Sequence, residues 1–256
     1  MATIPSLVEL LKAGVHFGHR KEKRHPKMAP YIFTQRHDIH IINAEETQKK
    51  IASALEFLTA LSRENKKIVF VGTKELVKDL VKASAIKCGM PYVCERWLGG
   101  TITNFSVIVK LIKRLKELRE KKAAGELTKY TKLEQLKFER EIEELERKIG
   151  GIEQLEKIPD ALFIIDLVQE KTARREAERK KVPIVALCDT NANPGGVAFP
   201  IHGNDDGRQS VELILSLAVQ VINEGKNIPL ESPVIEVERE NAPSLEEVTP
   251  DVAEER

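Results

Sequence analysis

Four short apolar runs, mostly β-branched, constrain this chain more than anything else in it: residues 40–43, 67–72, 161–166 and 183–189, closed by Asn43, Gly72, Asp166 and Asp189. Stretches such as Ile68-Val69-Phe70-Val71 and Leu162-Phe163-Ile164-Ile165 never alternate with polar residues. A strand that is apolar on both sides must be covered on both faces, which favours a parallel sheet between helical layers. Helical spacing fills the gaps. Ile51, Leu55, Leu58 and Leu61 recur after the first run, and Leu76, Leu80 and Val81 after the second. A charged helical stretch at 172–181 separates the last two runs, and an apolar helix at 210–223 closes the pattern. Strands alternating with helices predict a layered α/β body.

Residues 103–150 break this plan. They hold no strand signal and no proline, and two apolar stripes run through charged helix formers. Ile108, Leu111, Ile112, Leu115 and Leu118 mark the first stripe, and Phe138, Ile142, Leu145 and Ile149 the second, with Ala123-Ala124-Gly125 between them as a turn. The expectation is an antiparallel helical hairpin whose narrow seams pack only against each other. Its first arm is the more basic, with seven Lys or Arg against two Glu over residues 110–122. The chain thus divides into a body at 1–102 and 151–227, a hairpin insertion at 103–150 and a tail at 228–256. Four prolines interrupt a glutamate-rich composition in that tail, which is expected to be disordered.

The formal net charge of +1 hides an asymmetry. Residues 226–256 carry nine acidic and three basic side chains, so residues 1–225 carry +7. Three cysteines without C-x-x-C spacing point away from a disulfide framework or zinc ribbon and toward a reducing compartment. No apolar run is long enough to span a bilayer and no signal-type N-terminus is evident, so a soluble, non-exported protein is expected.

Enzymatic readings find little support. Gly72-Thr73-Lys74 stands where an α/β protein places phosphate-binding amides, yet neither it nor Asn193-Pro194-Gly195-Gly196 has a nucleotide-binding spacing. Asp166, Asp189 and the pair Asp205-Asp206 could meet at the carboxyl edge of the sheet, which makes Asp189 and Asp205 weak metal candidates. Strand-terminal aspartates also cap turns. No nucleophile motif is present, and Cys188 reads as core packing. A small-ligand or metal-binding enzyme or sensor using Asp189 and Asp205 remains the alternative. No catalytic residue, cofactor or membrane contact is expected.

Nucleic acid accounts for more of the chain. His16 and His19 lead into Arg20, Lys21, Lys23, Arg24, His25 and Lys27, where Pro26 and Pro30 are expected to hold the segment extended. Such a segment lays cations along a phosphate backbone. Arg96 and Trp97 precede a glycine-rich turn and the basic arm; exposed, the pair would stack on unpaired bases, whereas a core-anchoring tryptophan is the alternative. No RNA-recognition or KH signature is visible, so recognition by shape and backbone is implied.

Several segments then carry a family resemblance. LLKAGVHFGHR at 10–20, Pro26-Lys27-Met28, His40-Ile41-Ile42-Asn43, Phe70-Val71-Gly72-Thr73-Lys74, Arg96-Trp97-Leu98-Gly99-Gly100, residues 159–166 and Gly203-Asn204-Asp205-Asp206 together resemble the bacterial-type small-subunit ribosomal protein S-two family, in order from residue 4 to about 225. The resemblance implies a flavodoxin-like three-layer α/β/α fold with a central parallel sheet and an inserted antiparallel coiled-coil hairpin. It implies a structural role at the head–body junction of the small subunit, on its ribosomal RNA, in a cytoplasmic or organellar ribosome. It also implies recruitment of the large mRNA-binding protein S-one, with neighbouring ribosomal proteins as partners and no homo-oligomer. By position it assigns His16, His19, Arg20, Lys27, Lys74, Arg96, Trp97 and Asn104 to RNA; the basic loop adds Lys21, Lys23, Arg24 and His25, and the hairpin adds Lys110, Lys113 and Arg114. The chain departs from the family at His25 (usually asparagine), His202 (usually proline), Gly207 (usually alanine) and Thr190 to Ala198, which holds fewer acids, weakening an inherited metal site.

Overall fold

The computed structural model describes residues 4–226, so the expected tail at 228–256 lies outside the described residues. Five parallel strands form the central sheet: β4 (Ile68–Val71), β5 (Tyr92–Val93), β6 (Ala161–Ile165), β7 (Ile184–Cys188) and β8 (Phe199–His202), in the order β5-β4-β6-β7-β8. This is the doubly wound order in which the second strand lies outside the first, and it puts a switch point between β4 and β6. Helices α1 (Leu7–Lys12), α2 (Ala44–Arg63), α3 (Lys78–Lys87) and α7 (Arg208–Gly225) belong to one layer. The opposite layer holds α4 (Phe105–Ala123), α5 (Lys132–Ile149) and α6 (Lys171–Lys180).

The unbroken apolar runs now have their reason. Ile68 and Phe70 enter one core with Phe163, Ile165, Val185 and Leu187, while Val69 and Val71 enter the other with Leu162, Ile164, Ile184 and Ala186. Successive side chains of a strand point to opposite faces, and both faces here are dry. The result is a three-layer α/β/α body. Leu76 alone of its expected stripe escapes, 61 % exposed, because α3 begins after it.

Residues 40–43 are the first correction. They do not join the parallel sheet but form most of β3 (Ile39–Ile42), the centre of a separate antiparallel sheet with β1 (Phe17–Arg20) and β2 (Ile32–Arg36). Burial along β3 alternates, His40 and Ile42 inward, as expected of a sheet covered on one face. Asn43 then caps α2, its side chain accepting from the Glu45 and Glu46 amides. A second correction concerns the basic loop. Pro26 and Pro30 do not keep it extended: 3₁₀ turns form at Lys21–Lys23 and Pro26–Tyr31, the second opened by Pro26 and by the His25 ring, whose Nδ1 accepts from the Lys27 amide at 3.2 Å. Proline at the start of a helical turn lacks only an amide that has no partner there.

Helices α4 and α5 run antiparallel as a pair. Arg114 binds Glu141 through two nitrogens, Arg119 binds Glu146, and Lys122 faces Glu139. Thr131 and Glu134 form a capping box at the start of α5. The pair does not pack only against itself. Its buried Ile108, Ile112, Leu115, Leu118, Ile142 and Ile149 are continuous with the core beneath the sheet through Trp97, Ile102, Ile152 and Leu155. No helix of the described residues is long and apolar enough to cross a membrane.

Candidate nucleic-acid interface and its carboxylate base

The carboxyl edge of the sheet gathers a dense set of charges. Asp166 follows β6 with φ +66°, and its Oδ1 accepts from the amides of Val168 and Gln169, so this strand-terminal aspartate does cap the next turn. Lys74, beyond β4, extends its ammonium to Asp166 at 3.4 Å and Asp205 at 3.6 Å, and pairs with Asp206. His19, on β1, places Nδ1 2.8 Å from Asp189 and Nε2 3.2 Å from Asp206. This cluster occupies the crevice at the switch point where related folds bind nucleotides. Four carboxylates there repel phosphate, and the Thr73 amide is already taken by Glu170 Oε1 at 2.9 Å.

Protonation follows from this crowding. Burial and the neighbouring Asp166 and Asp189 push Asp205 well above the ordinary carboxylate range. Burial works against the Lys74 charge, but Asp206, Asp205 and Asp166 outweigh it and hold the ammonium well above the usual lysine value. The hydrogen bond to Asp189, against burial, holds His19 above its ordinary value. One ligand atom each from His19, Asp189, Asp205 and Asp206 lies within 4.8 Å of the others, and neither Asp205 oxygen has a hydrogen-bond partner. One imidazole and three carboxylates suit a borderline divalent cation, so these are the residues that could hold one.

On this base the basic loop is pinned. The His19 amide donates to Asp189 Oδ1 at 3.2 Å and to Thr190 Oγ1 at 2.9 Å, and the His25 amide donates to the Thr190 carbonyl at 2.8 Å. Gly18 is needed for this approach, since a Cβ there would stand 2.6 Å from Thr190 Cγ2. Arg20, Lys21, Lys23, Arg24 and Lys27 all remain exposed and have no ion pair among the described residues. The sequence-expected site therefore splits. Those five cations face solvent together, with His25 half-buried beneath them as a turn cap and His16 half-buried against Phe17. His19 and Lys74 spend their charges inward on carboxylates. That arrangement leaves neither as a free phosphate donor.

For Trp97 the core-anchoring alternative holds. The side chain is 6 % exposed and its indole donates to Glu176 Oε1 at 3.3 Å, so its ring belongs to the core and is closed to stacking bases. Arg96, Asn104, Lys110 and Lys113 are exposed, while Arg114 is half-buried against Glu141. The residue that sequence reasoning missed here is Glu176. Its carboxylate accepts from the Gly100 amide at 2.6 Å, Ile102 at 2.9 Å and Thr103 at 3.1 Å, besides Trp97 and the Thr103 hydroxyl. A glutamate between Ala173 and Ala177 on the buried face of α6 was the available signal.

His202 stacks on Tyr31 with ring centroids 3.6 Å apart, and neither ring nitrogen has a partner. Burial, helped by Lys50, pushes it down to about 4. A histidine kept neutral by the fold stabilises it fully above its unfolded value of about 6.5, and this contribution is lost as pH falls toward 4. Replacing His202 by Phe keeps the stack and removes the titration. The variant is expected to flatten the acid limb of thermal stability between pH 6.5 and 4, recovering about 2 kcal/mol at the acid end; an unchanged limb in thermal melts would sink this account.

An α/β body with a cationic loop on its carboxyl edge and a paired-helix insertion is the frame in which the comparisons fall. The family described as Ribosomal protein S2 matches residues 10–225. The small ribosomal subunit protein uS2 of Fusobacterium nucleatum subsp. nucleatum is 41 % identical over 245 residues, covering 94 % of this chain and 99 % of that protein. The chain belongs to the ribosomal protein S2 family, a structural and non-enzymatic family.

Proposed function

We propose that the chain is a structural constituent of the small ribosomal subunit, held at the head–body junction by the phosphate backbone of its ribosomal RNA. Arg20, Lys21, Lys23, Arg24 and Lys27 are the principal cations, and Arg96, Lys110 and Lys113 extend the contact with Asn104 beside them. His25 and His16 position the loop. The observation that carries this reading is the combination of five exposed, unpaired cations with a loop pinned to Asp189 and Thr190. Cations that need not break ion pairs or order a loop on binding lose little affinity to those costs. The test is co-sedimentation: the tagged chain should travel with small subunits at physiological salt, and fractionation with neither subunits nor RNA would end the reading.

Beyond Lys110 and Lys113 at its root, the hairpin is assigned to a protein partner. Arg114, Arg119, Lys122 and Lys148 are each matched to a glutamate, so these four charges are spent within the protein. The recruitment of the S-one protein and contact with neighbouring ribosomal proteins are assigned to the body edge and this arm. Deleting residues 105–148 should then lose a protein partner while the principal RNA contact of residues 20–27 persists.

A further inference from the structure

Helix α6 has two faces with different work. Its inner face sets Ala173, Glu176 and Ala177 against the core. Its outer face carries Lys171, Arg175, Arg179 and Lys180, and Lys181 follows at the helix end; all are exposed and none has an ion pair among the described residues. The carboxylates of α6 do not neutralise them. Glu176 is turned on the loop amides, and Glu178 is bound to Arg174 at 2.8 Å.

This surface is joined to the basic loop. Arg174 donates to the carbonyl of Asn193 at 2.8 Å and to that of Gly195. On the other side of the same turn, a Cβ on Gly195 would stand 2.8 Å from the Lys27 ammonium. The turn at 193–196 therefore bridges the end of the loop and α6. Lys171, Arg175 and Arg179 recur every four residues, about 6 Å apart along the helix, and a row of cations at that spacing follows a phosphate backbone. A protein interface needs an apolar centre, and the exposed residues of α6 are Lys171, Thr172, Arg175, Glu178, Arg179 and Lys180.

We propose that the outer face of α6 is a second phosphate-binding surface, continuing the track of the basic loop across the 193–196 turn. The proposal rests on the RNA-binding reading above. Its test uses the full chain and transcribed small-subunit ribosomal RNA, with affinity measured as a function of salt. Replacing Arg175, Arg179 and Lys180 by Ala should leave the melting temperature unchanged, weaken binding about tenfold or more, and lower the slope of log affinity against log salt by about 2. A wild-type chain that fails to bind the RNA overturns both readings. Wild-type binding with an unchanged slope in the variant overturns the α6 surface alone. Unchanged RNA binding with lost subunit occupancy also overturns it, by assigning the face to a protein neighbour.

Discussion

Replacing Arg20, Lys23, Arg24 and Lys27 together by alanine is expected to weaken binding to small-subunit RNA by roughly a few hundred-fold near physiological salt, each cation releasing condensed counterions when it meets a phosphate. The slope of log affinity against log salt should fall by about 3, in proportion to the number of cations removed. Folding should be untouched. These side chains are exposed and bind nothing among the described residues, and the bonds that fix the loop run through backbone amides of His19 and His25. Changing His19 or Lys74 is a different experiment: it uncovers Asp189, Asp166, Asp205 and Asp206 to one another and should cost stability first. Subunit association reduced less than about threefold in the four-site variant would refute the loop's role.

The largest structural effect is expected at Glu176. Alanine there leaves the indole of Trp97 and the amides of Gly100, Ile102 and Thr103 without their acceptor, in a site where the carboxylate is 7 % exposed. Burial alone would raise the Glu176 value, yet the amides of Gly100, Ile102 and Thr103 bring it below the ordinary range, so they outweigh desolvation. Charge-assisted bonds are worth about 1.5–3 kcal/mol each and are not additive when they share one acceptor, so the expected loss is about 4 kcal/mol. For a domain of this size the melting temperature should fall by about 10 °C. Gln should restore part of it, since one oxygen remains while the amide nitrogen faces donors. Because the clamped loop leads directly into α4, Glu176→Ala should also loosen the hairpin root, read as faster amide exchange at residues 102–108. Melting within about 2 °C of wild type would remove Glu176 from this role.

The parallel sheet was legible because burial on both faces leaves a signature in single residues: Val69 and Val71 are as apolar as Ile68 and Phe70. The paired helices were legible for the same reason, through Ile108, Ile112, Leu115 and Ile142, Ile149. β5 and β8 were not. The first is two residues long, and the second carries Pro200, which is tolerated at a sheet edge. The site was half legible. A run of cations announces itself in sequence, whereas the partner of each cation depends on contacts between residues far apart in the chain, as between His19 and Asp189 or Asp206. That is why His19 and Lys74 could not be told from Arg20 and Lys27, and why Trp97 could not be placed. Only the fold distinguishes a charge that faces a carboxylate from one that faces water.

Crosslinking the chain to ribosomal RNA inside assembled small subunits, and mapping the crosslinked residues, tests the central claim most directly. Crosslinks should concentrate at residues 20–27, with further positions on the outer face of α6, and should be absent from Trp97. Crosslinks confined to residues 105–148, with residues 20–27 unmodified, would contradict it.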